Sequence, residues 1–399
     1  MTTVHDPLLA EESGADVVGT ATALLDAYRP DTDRFFASPT RTLLARGDGL
    51  PVPHDARPLT ERVEDVLAQA CADGLPEPVV MGAIPFDPSA PAALAVLGQV
   101  RRGPALGRDP LIALPAPTPE DITWDIRPVP GPDAYATAVA TAVRRMTAGE
   151  FRKVVLARTL DLNGDSAPDV PGMLQRLARR DPRGYTFAVP TGAGRTLLGA
   201  SPELLVSRRG HSLLANPLAG SAPRSSDLAE DVRRAAALLE SPKDLLEHAV
   251  VVSAIGEALV PYCVDLVVPD RPTLVKTAAM WHLSTTITGT LAPEPASALE
   301  LACALHPTPA VCGDPTDVAR AVIGELETFD RGLYSGVVGW GDAAGDGEWV
   351  VTIRCAEAGP DSLRLFAGAG VVASSDPVAE TAETTAKFRT FLEAVGARL

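Results

Sequence analysis

Between residues 333 and 372 the chain reads LYSGVVGWGDAAGDGEWVVTIRCAEAGPDSLRLFAGAGVV. Three runs of β type, SGVVGW, EWVVTIRCA and SLRLFAGAGVV, are separated by the turn-rich segments AAGDG and GPD. A chain carrying this stretch has to build a sheet around it. Arg354 lies inside the second run, between Ile353 and Cys355. An arginine in an apolar strand is costly unless something anionic meets it. The third run ends in Ala367-Gly368-Ala369-Gly370, small enough for a ligand to approach the backbone and meet its N–H groups. A buried cation beside bare amides points to a pocket for a small carboxylate-bearing molecule. An arginine paired with an internal glutamate, and glycines that only turn a sheet, would leave the same trace.

With 399 residues there is room for one large domain or two medium ones. A hydrophobic share of 46% is too high for a disordered chain. The formal net charge of -16 argues against nucleic acid or an anionic membrane surface as the main partner, and an anionic substrate would need a locally positive site. The cysteines, Cys71, Cys263, Cys303, Cys312 and Cys355, are odd in number and widely spaced, which reads as reduced, buried thiols of a cytosolic protein. Cys303 and His306 form a metal fragment that no second pair completes. The N-terminal MTTVHDPLLAEESGAD lacks the basic start and long apolar core of a signal peptide. No run of about 18 apolar residues is present to span a membrane.

Residues 1–20 read as a loose tail. FFASPTRTLLARG and PVVMGAIPFDP read as short strands, with a helix over 59–71 between them capped by Thr60. Residues 103–132, rich in Pro and Gly, read as a linker or irregular crossing. A helix follows with Asp133 as N-cap and Tyr135, Val139, Ala142 and Met146 as its apolar stripe. FRKVVLARTLDL then reads as a strand, 171–180 as a helix, and YTFAVP, RTLLGA, PELLVSRRG and HSLLANPLAGS as strands. A long helical region spans about 226–259, and TLVKTAAMWHLSTTITGTL returns to strand. Residues 314–326, capped at Asp314 or Thr316, and 378–395 read as helices. These mixed clusters, without strict βαβ alternation, favour an α+β fold with large antiparallel sheets over a doubly wound one.

Lys153, in FRKVVLAR, shares a strand face with Phe151, Val155 and Ala157. An ammonium among apolar groups is driven towards its neutral form, and so towards acting as a base, unless it snorkels out at the strand end. Glu203, in LLGASPELLV, follows a bend forced by Gly-Ala-Ser-Pro and is flanked by apolar residues. A carboxyl in that setting rises towards the range of a general acid. The segment lacks the second glycine and the following helix of a nucleophile elbow, which argues against a serine hydrolase. Asp244 and Glu247 are three apart, as are Glu380 and Glu383, each pair on one helix face. Facing each other, the pairs would make a hard oxygen site suited to Mg2+ with retained waters; apart, they are two solvated helix faces. AGAGVV lacks the full glycine spacing of a dinucleotide fingerprint. His282 and His306 stand near apolar runs, where a satisfied core histidine is the common outcome.

The motifs KVVLAR, LLGASPELLV, NPLAGSAPR, KDLLEH, WHLST, HPTPAVCGDP, IGELETFDRGLYSGVVGW, GEWVVTIRCA and RLFAGAGVV occur in this order over about residues 130–390. Together they resemble the chorismate-utilising, anthranilate synthase component I-like enzymes, and within them most closely the isochorismate synthases. FFASPTR and GAIPFDP extend the similarity towards the N-terminus. The resemblance implies a single domain over 21–399, with an N-terminal lobe at about 21–120 and a catalytic region at about 130–395. Its fold would be an αββα sandwich, large antiparallel sheets with helices outside and the active site in the interior. Lys153 matches the lysine that activates water for attack at C2 of chorismate, and Glu203 the acid that protonates the departing C4 hydroxyl. Glu247 and Glu383, with Asp244 and Glu380 beside them, match the carboxylates that hold Mg2+ on the ring carboxylate. Arg354, Tyr334, Lys387 and the amides of Gly368, Ala369 and Gly370 match groups that receive substrate carboxylates. Gly220, Ser221 and His282 match further substrate-binding positions. One departure is Leu246, beside Glu247, where some isochorismate synthases are polar.

Relatives that add ammonia to the ring carry a glutamine where Lys153 stands and depend on a glutamine amidotransferase, so no such subunit is implied. Salicylate synthases keep the lysine and go on to eliminate pyruvate. The HPTPAVCGDP form, with threonine after its first proline, is similar to the enzyme that stops at isochorismate. A catalytically silent chorismate-binding subunit is a third reading, set against every expected catalytic position being filled. The implied protein is a cytoplasmic, monomeric isomerase whose product would feed a catechol siderophore, menaquinone or another aryl-acid metabolite.

Overall fold

The computed structural model describes residues 17–397. Most of the expected tail lies outside these residues, and Thr20 already opens a helix, Thr20–Asp26. The fold is α+β, with antiparallel sheets of ten, nine and three strands. In the ten-stranded sheet the lysine strand, Lys153–Gly164, pairs along its length with the glycine strand, Ser362–Val372. Lys153 lies opposite Val372, and Ala157 opposite Gly368. Phe36, Leu43 and Phe187 of this sheet meet Met81, Val338, Trp340 and Val350 of the nine-stranded sheet in one buried cluster. That cluster is the filling of a sandwich. Outside it, Leu174 and Leu177 of helix Val170–Arg180 and Phe388 and Phe391 of the C-terminal helix, Pro377–Val395, pack on Leu160, Leu162 and Leu365. Helix Pro242–Leu259 packs Val251, Val252 and Ile255 on the other side, against Leu205 and Trp349. The stripe Tyr135, Val139, Ala142 and Met146 is buried as its spacing predicts.

EWVVTIRCA, expected as one strand, is two. Gly347–Val351 belongs to the nine-stranded sheet and Cys355–Ala358 to the ten-stranded one. The chain changes sheet between them, and Arg354 turns it with φ 51°, a left-handed conformation costly for a side chain this large. The long helix expected over 226–259 is also two, Leu228–Glu240 and Pro242–Leu259. Pro242 cannot continue the first, and Ser241 caps the second by accepting from the Asp244 N–H. Thr60, Asp133 and Asp314 do not cap. The helices beside them begin at Leu59, Pro132 and Thr316 after Pro58, Gly131 and Pro315, so a proline stands at or just before each of the three starts. Within 103–132 lies a strand, Trp124–Val129, paired with the lysine strand. All five cysteines are free; Cys312 and Cys355 are buried as expected, but Cys71 is exposed. The stretch Pro242–Tyr262, at mean hydropathy 1.3, is long and apolar enough to cross a membrane by length and composition alone. Sequence reading found no such run because Lys243, Asp244 and Glu247 interrupt its start.

Candidate active site

Lys153 opens its strand and is 2% exposed. It does not snorkel out. Its ammonium lies 3.0 Å from Glu247 Oε1, an ion pair whose geometry falls short of a hydrogen bond. Gly370 makes the room: a Cβ there would stand 2.2 Å from Glu247 Oε1 and 3.4 Å from Lys153 Cε. Glu203 precedes strand Leu204–Arg209 and is buried, its Oε1 accepting from the Leu218 N–H at 3.3 Å. Burial raises this carboxyl to about 7, and the Leu218 N–H and the Lys153 and Lys387 ammonium groups oppose the rise without cancelling it.

Glu203 lines a cleft of about 820 Å³, open solvent at its mouth included, together with Asp244, Glu247 and Glu383. Gly220, Ser221, His282, Tyr334, Arg354, Gly368, Gly370 and Lys387 complete the set of expected residues on its wall. Lys153, Glu380 and Ala369 are not on the wall. Lys153 sits behind Glu247, and Ala369 is turned away by the two-residue period of its strand. The glycine strand pairs with Cys355–Ala358 only as far as Leu365, so that neighbour leaves its second half uncovered. The Lys387 ammonium uses this edge, donating to the Gly368 carbonyl at 2.8 Å. Gly220 is left-handed at φ 78°, and a Cβ there would come within 3.0 Å of Asp244 Cβ.

Arg354 is buried and forms no ion pair or side-chain hydrogen bond among the described residues; burial lowers its pKa, with Glu383 the main opposing charge. His282 is not the satisfied core histidine expected. Its Nε2 is buried without a partner, and burial, then the Arg354 and Lys387 charges, hold it well below its ordinary pKa, so the ring is neutral. His306 does satisfy itself, on the carbonyls of Pro85 and Phe86. The Tyr334 ring stacks on Phe366 at 4.9 Å, and burial raises its phenol.

Each glutamate of the expected metal set faces a lysine. Glu247 pairs with Lys153 at 3.0 Å, Glu380 with Lys243 at 2.9 Å and Glu383 with Lys387 at 2.6 Å. Ser221 Oγ also donates to Glu383 Oε1 at 3.3 Å. Burial pushes Glu383 up, but Lys387, Lys243 and the Ser221 hydroxyl together hold the carboxyl below its usual value. Asp244 and Glu380 are raised, first by burial and then by neighbouring carboxylates: Glu247 and Glu383 act on Asp244, and Glu383 on Glu380. The donors are all carboxylate oxygens crowded enough to repel one another, the chemistry a hard cation takes. Among the described residues no three His, Cys, Asp or Glu are grouped closely enough to hold a metal, and each of the three glutamates is paired with a lysine instead.

Lys243, Ser335 and Phe366 also line the cleft and escaped the sequence reading. Lys243 had a signal, standing one residue before Asp244 on the helix of the metal-type carboxylates. Ser335, at φ 60°, and Phe366 had none, since nothing local marks a serine or phenylalanine as facing a cavity.

The sequence profile described as "Chorismate binding enzyme" matches residues 114–396. The isochorismate synthase DhbC of Bacillus subtilis (strain 168) is 50% identical over 384 residues, 94% of this chain and 96% of that protein. The vibriobactin-specific isochorismate synthase of Vibrio cholerae is 40% identical over 96% of this chain and 97% of its own length. The crystal structure of a 2,3-dihydroxybenzoate-specific isochorismate synthase, DhbC from Bacillus anthracis, described as putative, superposes with TM-score 0.89 at 47% identity, covering 95% of this chain and 100% of that one. With this site on this fold, the chain belongs to the chorismate-binding enzymes and, among them, to the isochorismate synthase family.

Proposed function

We propose that the protein converts chorismate to isochorismate, and that it does so with Lys153 as base and Glu203 as acid. The observation that carries this reading is Glu203, a fully buried carboxyl held at about 7 on the wall of a cleft that also presents Arg354 and Lys387. A carboxyl in that range is half protonated at neutral pH and can give its proton away.

Lys153 Nζ takes a proton from a water molecule as the water oxygen bonds to ring carbon C2. Both ring double bonds shift, C1=C2 to C1=C6 and C5=C6 to C4=C5, as the C4–O bond breaks, and the departing oxygen takes the proton of Glu203. One water enters and one leaves, so the reaction is an isomerisation. Arg354 and Lys387, with Tyr334, His282, Ser221 and the backbone of Gly220, Gly368 and Gly370, bind the substrate's carboxylates and hydroxyl. Glu247 and Glu383, with Asp244 and Glu380 nearby, would hold Mg2+, which supplies positive charge for the ring carboxylate. Glu247 pairs with Lys153 at 3.0 Å, and a Glu247 that held the cation would leave that pair and free Lys153 to act as a base. The protein is proposed to work as one domain from about residue 21 onward, as a cytoplasmic monomer without an amidotransferase subunit. The five free thiols support the reducing compartment. Among its relatives one is named for vibriobactin and a solved structure for menaquinone, which leaves both outlets for the product.

Purified protein is incubated with chorismate and Mg2+ without ammonia, and the products are separated by chromatography. Isochorismate accumulating to a mixture with chorismate is expected. Salicylate with pyruvate would place the protein among the lyase-competent enzymes, and bound but unconverted chorismate would make it a silent binder.

A further inference from the structure

We propose that Arg158 is a positioning residue that sets the roll of the C-terminal helix, and with it the direction of Glu383 and Lys387. Arg158 lies on the lysine strand five residues after Lys153, at 3% exposure. Strand alternation sends it to the face opposite Lys153, the face of Val154 and Leu156, which pack under helix Pro132–Thr147. There, among the described residues, its guanidinium meets no carboxylate. It lies over the Tyr135 ring at 5.7 Å and the Phe388 ring at 5.5 Å. Its Nε donates to Thr384 Oγ1 at 2.9 Å and its Nη2 to the Thr381 carbonyl at 3.2 Å and to Thr385 Oγ1.

The pattern on the helix gives these bonds a consequence. Thr381, Thr384, Thr385 and Phe388 follow the i, i+3, i+4, i+7 spacing of one helix stripe. Glu380, Glu383 and Lys387 repeat it one residue earlier, so their stripe is turned by about 100° around the axis. A grip on the first stripe therefore fixes where the second points. The threonine hydroxyls are prepared for that grip. Thr384 and Thr385 each spend their proton on the Thr381 carbonyl, so their hydroxyl oxygens face Arg158 as acceptors. A cation buried without a counter-anion is an expensive way to pack a helix. Apolar contact would hold the helix on the sheet, but it would leave the roll undetermined.

The inference rests on the reading of Glu383 and Lys387 as binding groups, and its test separates the two. Arg158→Met keeps the stem between Tyr135 and Phe388 and removes the hydrogen bonds. Mg2+ alone is titrated into the full-length protein by calorimetry, and chorismate kinetics are measured alongside. We expect the Mg2+ Kd and the chorismate KM each to rise about tenfold while kcat at saturation changes less than about threefold, since the C-terminal helix carries neither Lys153 nor Glu203. Arg158→Lys recovers part of the loss. Thr384→Val gives a smaller shift of the same kind, and adding it to Arg158→Met costs nothing further because both cut one link. A folded Arg158→Met protein with parental Kd and KM overturns the proposal. If that variant does not fold, Thr384→Val with unchanged Kd and KM overturns it. A parent protein that binds no Mg2+ overturns the metal reading instead, and the KM values still decide the role of Arg158.

Discussion

At the scale of single residues the site is a set of charges held out of water, and Glu203 gives the clearest prediction. Its carboxyl is raised from 4.5 to about 7 because burial disfavours the anion more than the nearby lysines favour it. The folded protein therefore binds a proton that the unfolded chain releases near 4.5. Stability linked to this group is fully present below pH 4.5, falls as pH rises, and levels off above about 7. The full change is at most about 3 kcal/mol. Glu203→Gln is neutral at every pH and keeps an oxygen for the Leu218 N–H. The variant should match the parent in thermal stability at pH 4.5 and exceed it at pH 8. A gap that stays constant across that range would mean the carboxyl is not raised. Turnover should fall by about a thousandfold in the variant, the usual worth of a general acid. In the parent, kcat should decline above about pH 7 as Glu203 loses its proton. The burial of Lys153 and Glu203 was legible in the sequence, from apolar neighbours alone. Their neighbours in space were not: the Lys153–Glu247 and Lys243–Glu380 pairs join helices to distant elements, and local spacing carries no trace of them.

At the scale of elements, the glycine strand shows how spacing within a sheet becomes chemistry. Gly370 faces Glu247 and Lys153 across a gap that a single methyl would fill, and the atom in the way is the end of a flexible side chain. Gly370→Ala should therefore displace Glu247 from the place where it would hold the cation and crowd the Lys153 stem, lowering kcat/KM by about a hundredfold while costing less than about 1 kcal/mol of stability. Gly339 is the contrasting case. A Cβ there would meet the Glu348 carbonyl oxygen at 2.1 Å, and that backbone cannot swing away. Gly339→Ala should cost about 3 kcal/mol, read as a lower urea midpoint. If both variants lose stability equally, the gap at Gly370 is packing and not function. Element type was read well from periodicity, including the Tyr135 stripe and the closing helix. The errors fall where the chain changes direction inside an apolar run. Nothing in EWVVTIRCA announces that its halves belong to different sheets, because the left-handed turn at Arg354 uses a residue that rarely adopts it. The break at Ser241-Pro242 was written in the sequence, as a capping residue followed by proline.

At the scale of the whole molecule, the sandwich came from resemblance and not from pattern, since strands that pair across a hundred residues leave no periodic mark. Long-range pairing also decides what can be removed. The family profile begins at residue 114, as if the earlier part were dispensable. Yet Arg34–Ala37 lies between Arg41–Ala45 and Tyr185–Gly192 in the ten-stranded sheet. Val79–Ile84 lies between Ala93–Leu97 and Val337–Asp342 in the nine-stranded sheet. Deleting the first 113 residues would open an edge in both sheets and bare Phe187, Val189, Val338 and Trp340, all now buried between them. Unpaired edges over exposed apolar faces associate with one another. A fragment spanning 114–399 should therefore be aggregated on gel filtration and lack the near-ultraviolet circular dichroism of packed aromatics. It should also fail to bind chorismate, although every residue placed in the cleft lies within it. A monomeric fragment that binds chorismate would mean instead that the N-terminal strands form a lobe docked on a catalytic region able to fold without them.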